Sequence, residues 1–151
     1  MEGGEEEIAS HSLRARFAAE GDLDLLASFN RSLIEDEGHR NPMSAAELRE
    51  RMAAFLAGDY QAVIFSAGDD PVGYALYRPE DGGWHLRQFF IVAARRRDGF
   101  GRGAIAWLLN GPWRGARRIT LEVLAANEPA AMFWRSVGFS DYAISMERRA
   151  D

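Results

Sequence analysis

The stretch Arg95-Arg96-Arg97-Asp98-Gly99-Phe100-Gly101-Arg102-Gly103 follows an apolar run, Phe89-Phe90-Ile91-Val92, and opens a second apolar-periodic segment. It reads as a strand that delivers a glycine-rich turn onto the N-terminus of a helix. About four backbone N–H groups at such a terminus have no partner inside the helix, and the macrodipole adds roughly half a positive charge, so a phosphate or pyrophosphate suits it. Gly99 and Gly101 carry no Cβ to hold an anion away, and the flanking arginines add forked, permanently charged donors. These residues predict the grip of a phosphorylated cofactor. The turn is neither the G-x-G-x-x-G of a dinucleotide fold nor a P-loop, which needs a lysine this chain lacks.

A second polar concentration is Glu35-Asp36-Glu37-Gly38-His39-Arg40-Asn41-Pro42, and a third candidate is His85 on the run Trp84 to Val92. Carboxylates can hold a cationic amine, and a neutral imidazole can take its proton. No metal is expected, because His39 and His85 stand in separate segments without a ligand spacing such as H-E-x-x-H, and the absence of cysteine excludes thiolate-rich zinc sites and disulfide scaffolds. A net charge of -5 argues against a nucleic-acid partner, which draws on basic surface.

The elements that must position these groups follow from periodicity. Leu13 to Ala18 alternates as a strand. Asp22 is placed to cap a helix carrying Leu26, Phe29 and Leu33 and ending near Gly38. Ser44-Ala45-Ala46-Glu47 is a capping box, with Met43 and Leu48 as its hydrophobic staple, and Gly58 stops the helix it starts. Tyr60 to Ser66 and Pro71 to Tyr77 read as a hairpin, and Gly82-Gly83 turns into the strand Trp84 to Val92. Beyond the glycine-rich turn lie a helix carrying Phe100, Ala104, Trp107 and Leu108, a strand Arg118 to Leu124, a short helix carrying Ala130, Phe133 and Trp134, and a last strand, Phe139 to Arg148. This is an α+β order with a mixed sheet. Residues 1–10 are expected to be a disordered tail and residues 11–151 a single domain; with no signal peptide or membrane-length apolar run, a cytoplasmic protein is expected.

The pattern R-x-x-G-x-G at Arg96, Gly99 and Gly101, followed by Asn127, Ala130, Phe133-Trp134 and Gly138-Phe139, resembles the GNAT superfamily of acetyl-CoA-dependent N-acetyltransferases in order and spacing. The resemblance implies a mixed central sheet of about six or seven strands flanked by about four helices, with a V-shaped cofactor slot between the fourth and fifth strands. Only a short segment follows Gly138, so either the sheet has one strand fewer or a partner chain supplies the edge, a homodimer. The resemblance further implies transfer of an acetyl group from acetyl-CoA to an amine of a small molecule or peptide, by direct attack in a ternary complex. It places Phe89, Phe90, Ile91, Arg96, Arg97, Gly99, Gly101, Arg102 and Asn127 on the cofactor, with the Ile91 backbone N–H as oxyanion donor.

By position the resemblance makes His85 the general base, with Glu35 or Glu37 acting through water as alternatives, and sets Glu35, Glu37, His39 and Arg87 at the acceptor pocket. Regular alternation would put His85, Arg87, Phe89 and Ile91 on one face. Where many relatives carry a tyrosine acid this chain has Trp134, whose indole N–H is no practical proton donor, leaving Tyr142, Tyr77, Tyr74 or water. That departure keeps open a second reading, a catalytically weak acyl-CoA-binding or regulatory module.

Overall fold

The computed structural model describes residues 12–38 and 40–150. The expected tail, Met1 to Ser10, and His39 lie outside the described residues. Strand β1 (Leu13–Phe17) leads through a 3-10 turn, Glu20–Asp22, into helices α1 (Leu23–Glu37) and α2 (Ala45–Ala57). Strands β2 (Gln61–Ala67), β3 (Asp70–Glu80) and β4 (Gly83–Ile91) follow, then the 3-10 segment Ala93–Asp98, helix α3 (Phe100–Asn110), strand β5 (Arg118–Thr120) and helix α4 (Glu128–Ser136). The strands form one sheet in the order β1-β2-β3-β4-β5, antiparallel except for the parallel pair β4 and β5.

Alternation along the strands feeds two cores, one on each face. Ala62, Ile64, Tyr74, Leu76 and Phe90 face α1 and α2, meeting Leu26, Phe29, Leu33 and Met52. Val63, Phe65, Ala75, Tyr77, Leu86 and Ile91 face α3, meeting Phe100, Ala104, Ile105 and Leu108. Helix α2 starts at the expected capping box, where Ser44 accepts from Glu47 N at 3.1 Å and Glu47 accepts from Ser44 N at 2.8 Å. Asp22 occupies the N-cap position of α1, but its carboxylate serves Arg16 and the Ala19 N–H rather than capping the helix.

One irregularity reshapes the expected site. Leu76 pairs with Gln88 and Tyr77 with Leu86, so Arg87 is the extra residue of a β-bulge in β4. A bulge breaks period-two alternation, which the uninterrupted sequence pattern does not reveal. Leu86, Phe89 and Ile91 all belong with the α3-side core, whereas His85 and Arg87 take the α1 and α2 side; the single shared face expected for the four residues is not formed.

The sheet has five strands among the described residues, not six or seven. Strand β5 pairs with β4 only at Gly83, Trp84 and His85, and the expected continuation to Leu124 is unpaired, because β4 bends at its bulge just beyond. The expected last strand, Phe139 to Arg148, pairs with nothing among the described residues, since a three-residue β5 offers it little edge. Tyr142, Ile144 and Met146 on that segment are 82%, 81% and 88% exposed. Among the described residues no helix is long and apolar enough to cross a membrane.

Candidate active site

Where β4 and β5 part after His85 and Thr120, a cleft of about 1050 Å³ opens through the sheet. Its α3-side wall includes Phe89, Gly101, Asn127, Phe133 and Trp134; its α1-side wall includes Asn30, Glu37, Arg51, Arg87 and Gln88, with His85 and Glu122 between. An expected cofactor half and an expected acceptor half thus share one cavity.

The N-terminus of α3 borders this cleft through Gly101. Gly99 precedes the helix at φ +84°, a left-handed conformation that glycine takes at no steric cost, and no side chain caps the first turn. The first N–H groups of α3 are therefore available to an anion. A Cβ on Gly101 would come within 3.3 Å of the Phe133 ring, so glycine here lets α4 pack close to the start of α3. These features fit a pyrophosphate. The arginines divide their work: Arg96 donates from Nε to the Ile91 carbonyl at 2.7 Å and pairs with Asp36, tying the end of β4 to α1. Arg96 still lines the cleft, while the exposed Arg97 stands at the same turn and Arg102 reaches Ser136 Oγ at 3.1 Å. Neither Arg97, Arg102 nor Gly99 lines the cleft itself; they ring the turn at its rim.

The edge of β4 that faces away from β3 carries a backbone N–H. Val92 N–H bonds to the Val72 carbonyl on the β3 side at 2.8 Å, and successive N–H groups of a strand alternate in direction, so the Ile91 N–H points to the opposite, unpaired edge. Phe89 stacks on Phe133 with centroids 6.2 Å apart, and Trp134 meets Phe89, Phe133 and Phe139 edge-on, an aromatic wall beside that edge. Phe90 points the other way, onto Phe29 at 5.6 Å. Asn127 caps α4, its Oδ1 accepting from Ala130 N at 3.2 Å, which leaves its amide NH₂ as a donor on the cleft wall.

His85 sits at the point where the strands diverge. Its Nδ1 lies 2.7 Å from Thr120 Oγ1, and Thr120 Oγ1 lies 2.6 Å from Glu80 Oε1. An ionised carboxylate only accepts, so the Thr120 hydroxyl donates to Glu80 and its oxygen accepts from His85 Nδ1–H. The Nε2 lone pair is then the free one. The Thr120 hydrogen bond is the largest influence holding Glu80 below its ordinary carboxylate range. Burial, and then the positive charge of Arg78, push His85 below its ordinary value, which favours the neutral ring.

The acidic segment is largely spent on internal pairs. Asp36 pairs with Arg96, and Arg40 bonds to Glu147 at 2.9 Å. Glu37 lines the cleft; Glu35 is exposed and does not, and His39 lies outside the described residues. None of the tyrosines lines the cleft: Tyr74 donates to Gln88 at 2.7 Å inside the core, Tyr77 is buried with its hydroxyl pushed up to about 12, and Tyr142 lies outside against Arg118. Among the described residues no cluster of side chains suits a metal ion.

Sequence reasoning missed Glu80, Thr120, Glu122 and Arg51, which the fold brings to the site from separate elements. Only pairing β5 against β4 in register would have found Thr120 opposite His85.

Residues 25–139 match the family model described as acetyltransferase (GNAT) family. No curated protein matches the chain. Its fold is similar to that of a possible acetyltransferase from Clostridium difficile 630, at 19% identity over 92% of this chain and 97% of that one, with a TM-score of 0.74. An acetyltransferase from Thermus thermophilus is 21% identical over 85% and 87% of the two chains, with a TM-score of 0.72. An aminoglycoside N-acetyltransferase in complex with CoA is 15% identical over 91% and 94%, also with a TM-score of 0.72.

Proposed function

The chain belongs to the GNAT acetyltransferase family, and from that premise we propose that it moves an acetyl group from acetyl-CoA to a primary amine of a small molecule or peptide within a ternary complex. The observation that carries this reading is a single cleft with the uncapped start of α3 on one side and the free Nε2 of His85 on the other. Acetyl-CoA supplies the activated acetyl group as a thioester. The α3 N–H groups, with Arg97 and Arg102, hold its pyrophosphate; Phe89, Phe133 and Trp134 exclude water along the chain that leads to the thioester.

His85 Nε2 takes a proton from the acceptor ammonium, directly or through a water, while Glu80 and Thr120 hold the ring by its other nitrogen. The Ile91 N–H donates to the oxygen on which negative charge develops. With no tyrosine on the cleft, the departing sulfur takes its proton from water or from the protonated His85 rather than from a phenol. In this reading the chain acts inside the cell, and the exposed segment Tyr142 to Met146 pairs with a second copy, giving a homodimer.

CoA release from acetyl-CoA with a panel of amines, followed with a thiol reagent, tests the transfer. Release that rises with a particular amine and is lost in His85→Ala supports it. Acetyl-CoA binding with no release against any amine would leave the acyl-CoA-binding module as the function.

A further inference from the structure

We infer that the acceptor amine also carries a carboxylate, held between the guanidinium groups of Arg51 and Arg87. The inference rests on the transfer reading for the word acceptor, but the anion site is argued from the cleft itself. Both arginines line the α1-side wall, and both lie against one ring: the Arg51 guanidinium carbon is 5.4 Å and that of Arg87 4.7 Å from the Phe55 centroid. They come from different elements, Arg51 from α2 and Arg87 from the bulge of β4, and the bulge is what turns Arg87 to this side.

Two like charges on one wall oppose one another unless something negative lies between them. Among the described residues no salt bridge joins either arginine to a carboxylate. Other acids nearby are engaged elsewhere: Asp24 with Arg49, Asp36 with Arg96, Glu147 with Arg40. Arg51 donates once, to Asn30 Oδ1 at 3.1 Å, and its buried Nε has no acceptor. Arg87 has a long contact of 3.4 Å with the Tyr60 hydroxyl. Burial, and next the charge of Arg87, already push the Arg51 guanidinium below its ordinary range. Forked donors in a concave, partly dry setting match a carboxylate's two oxygens.

The same half of the cleft also carries the opposite polarity. Glu122 lines it beside His85 and favours positive charge there. An amino acid, with its ammonium towards His85 and Glu122 and its carboxylate towards Arg51 and Arg87, meets complementary charge at both ends. A polyamine would set one ammonium against two guanidiniums.

The test uses the full chain and probes whose binding does not require turnover: N-acetyl amino acids and the same compounds as C-terminal amides, scored by thermal shift in the presence of CoA. The expected result is that a subset of the acids raises Tm and the matching amides do not. Arg51→Met and Arg87→Met should each weaken that binding about 10- to 100-fold, the range of a hydrogen bond to a charged group, with Arg87→Lys intermediate. Equal shifts from acids and amides, or none from either, would overturn the inference. If acids discriminate but no amine elicits CoA release, the carboxylate site stands and the transfer reading falls; if only amines without a carboxylate elicit release, the reverse holds.

Discussion

His85 is one imidazole whose two nitrogens are given different work by its neighbours. The Glu80 to Thr120 to His85 chain places the ring proton on Nδ1 because a carboxylate at its far end can only accept. His85→Ala should lower turnover at neutral pH by about 10²-fold or more while leaving acetyl-CoA affinity nearly unchanged, as separate kinetic and calorimetric measurements would show. Thr120→Val removes the acceptor and should cost about 5- to 10-fold in kcat, with Thr120→Ser restoring it, since one hydrogen bond is worth about 1 kcal/mol. The pH profile has a defined sign. Because burial depresses the folded pKa of His85, the pH at which kcat/KM falls on acidification should lie below that of an ordinary imidazole. The same depression means that protonation is less favourable folded than unfolded, so His85 also withdraws stability as the pH falls from its unfolded pKa through its folded one. A midpoint for that fall above the ordinary imidazole value would move the base elsewhere.

At the scale of elements, the junction of α3 with α4 has the tightest tolerance. Gly101→Val would drive a side chain into Phe133, already 3.3 Å from where a Cβ would stand, and would intrude on the helix start proposed to meet the pyrophosphate. The variant should lose most of the Tm increase that acetyl-CoA gives the parent, and dephosphorylated pantetheine should stabilise the parent far less than CoA does. Equal stabilisation by CoA and pantetheine would dismiss the phosphate grip. Helix α2 allows a cleaner stability measurement, because Ser44 serves only its cap. Ser44→Ala should cost about 1 kcal/mol in urea unfolding, with acetyl-CoA binding retained.

For the molecule as a whole, the segment after α4 presents apolar side chains that the described residues leave largely exposed. Tyr142, Ile144 and Met146 repeat at every second residue and are almost fully exposed, while β5 keeps an edge without a partner among the described residues. An apolar segment beside an open edge is a pairing liability, and the proposed second copy would supply both halves of the match. Sedimentation should find a dimer, and Ile144→Lys with Met146→Glu should yield a folded monomer. Since Glu147 bonds to Arg40 on the cleft wall, that monomer should also show an altered KM for the acceptor. A parent chain that sediments as a monomer would remove the dimer.

Local sequence was sufficient where local forces decide. The capping box at Ser44, the glycine-rich start of α3 and the alternation of β2 and β3 were legible because propensity, periodicity and capping act over a few residues. The motif from Arg96 to Phe139 carried the family for the same reason. What only the tertiary structure decided depends on register between distant segments. The bulge at Arg87, invisible in an unbroken strand pattern, exists only relative to β3; it turns His85 and Arg87 away from Phe89 and Ile91 and ends the ladder to β5. Thr120 meets His85 across 35 residues, Glu80 meets Thr120 across 40, and Arg96 meets Asp36 across 60. No spacing rule along a chain encodes such contacts, because they are fixed by which strand edges pair and where that pairing stops.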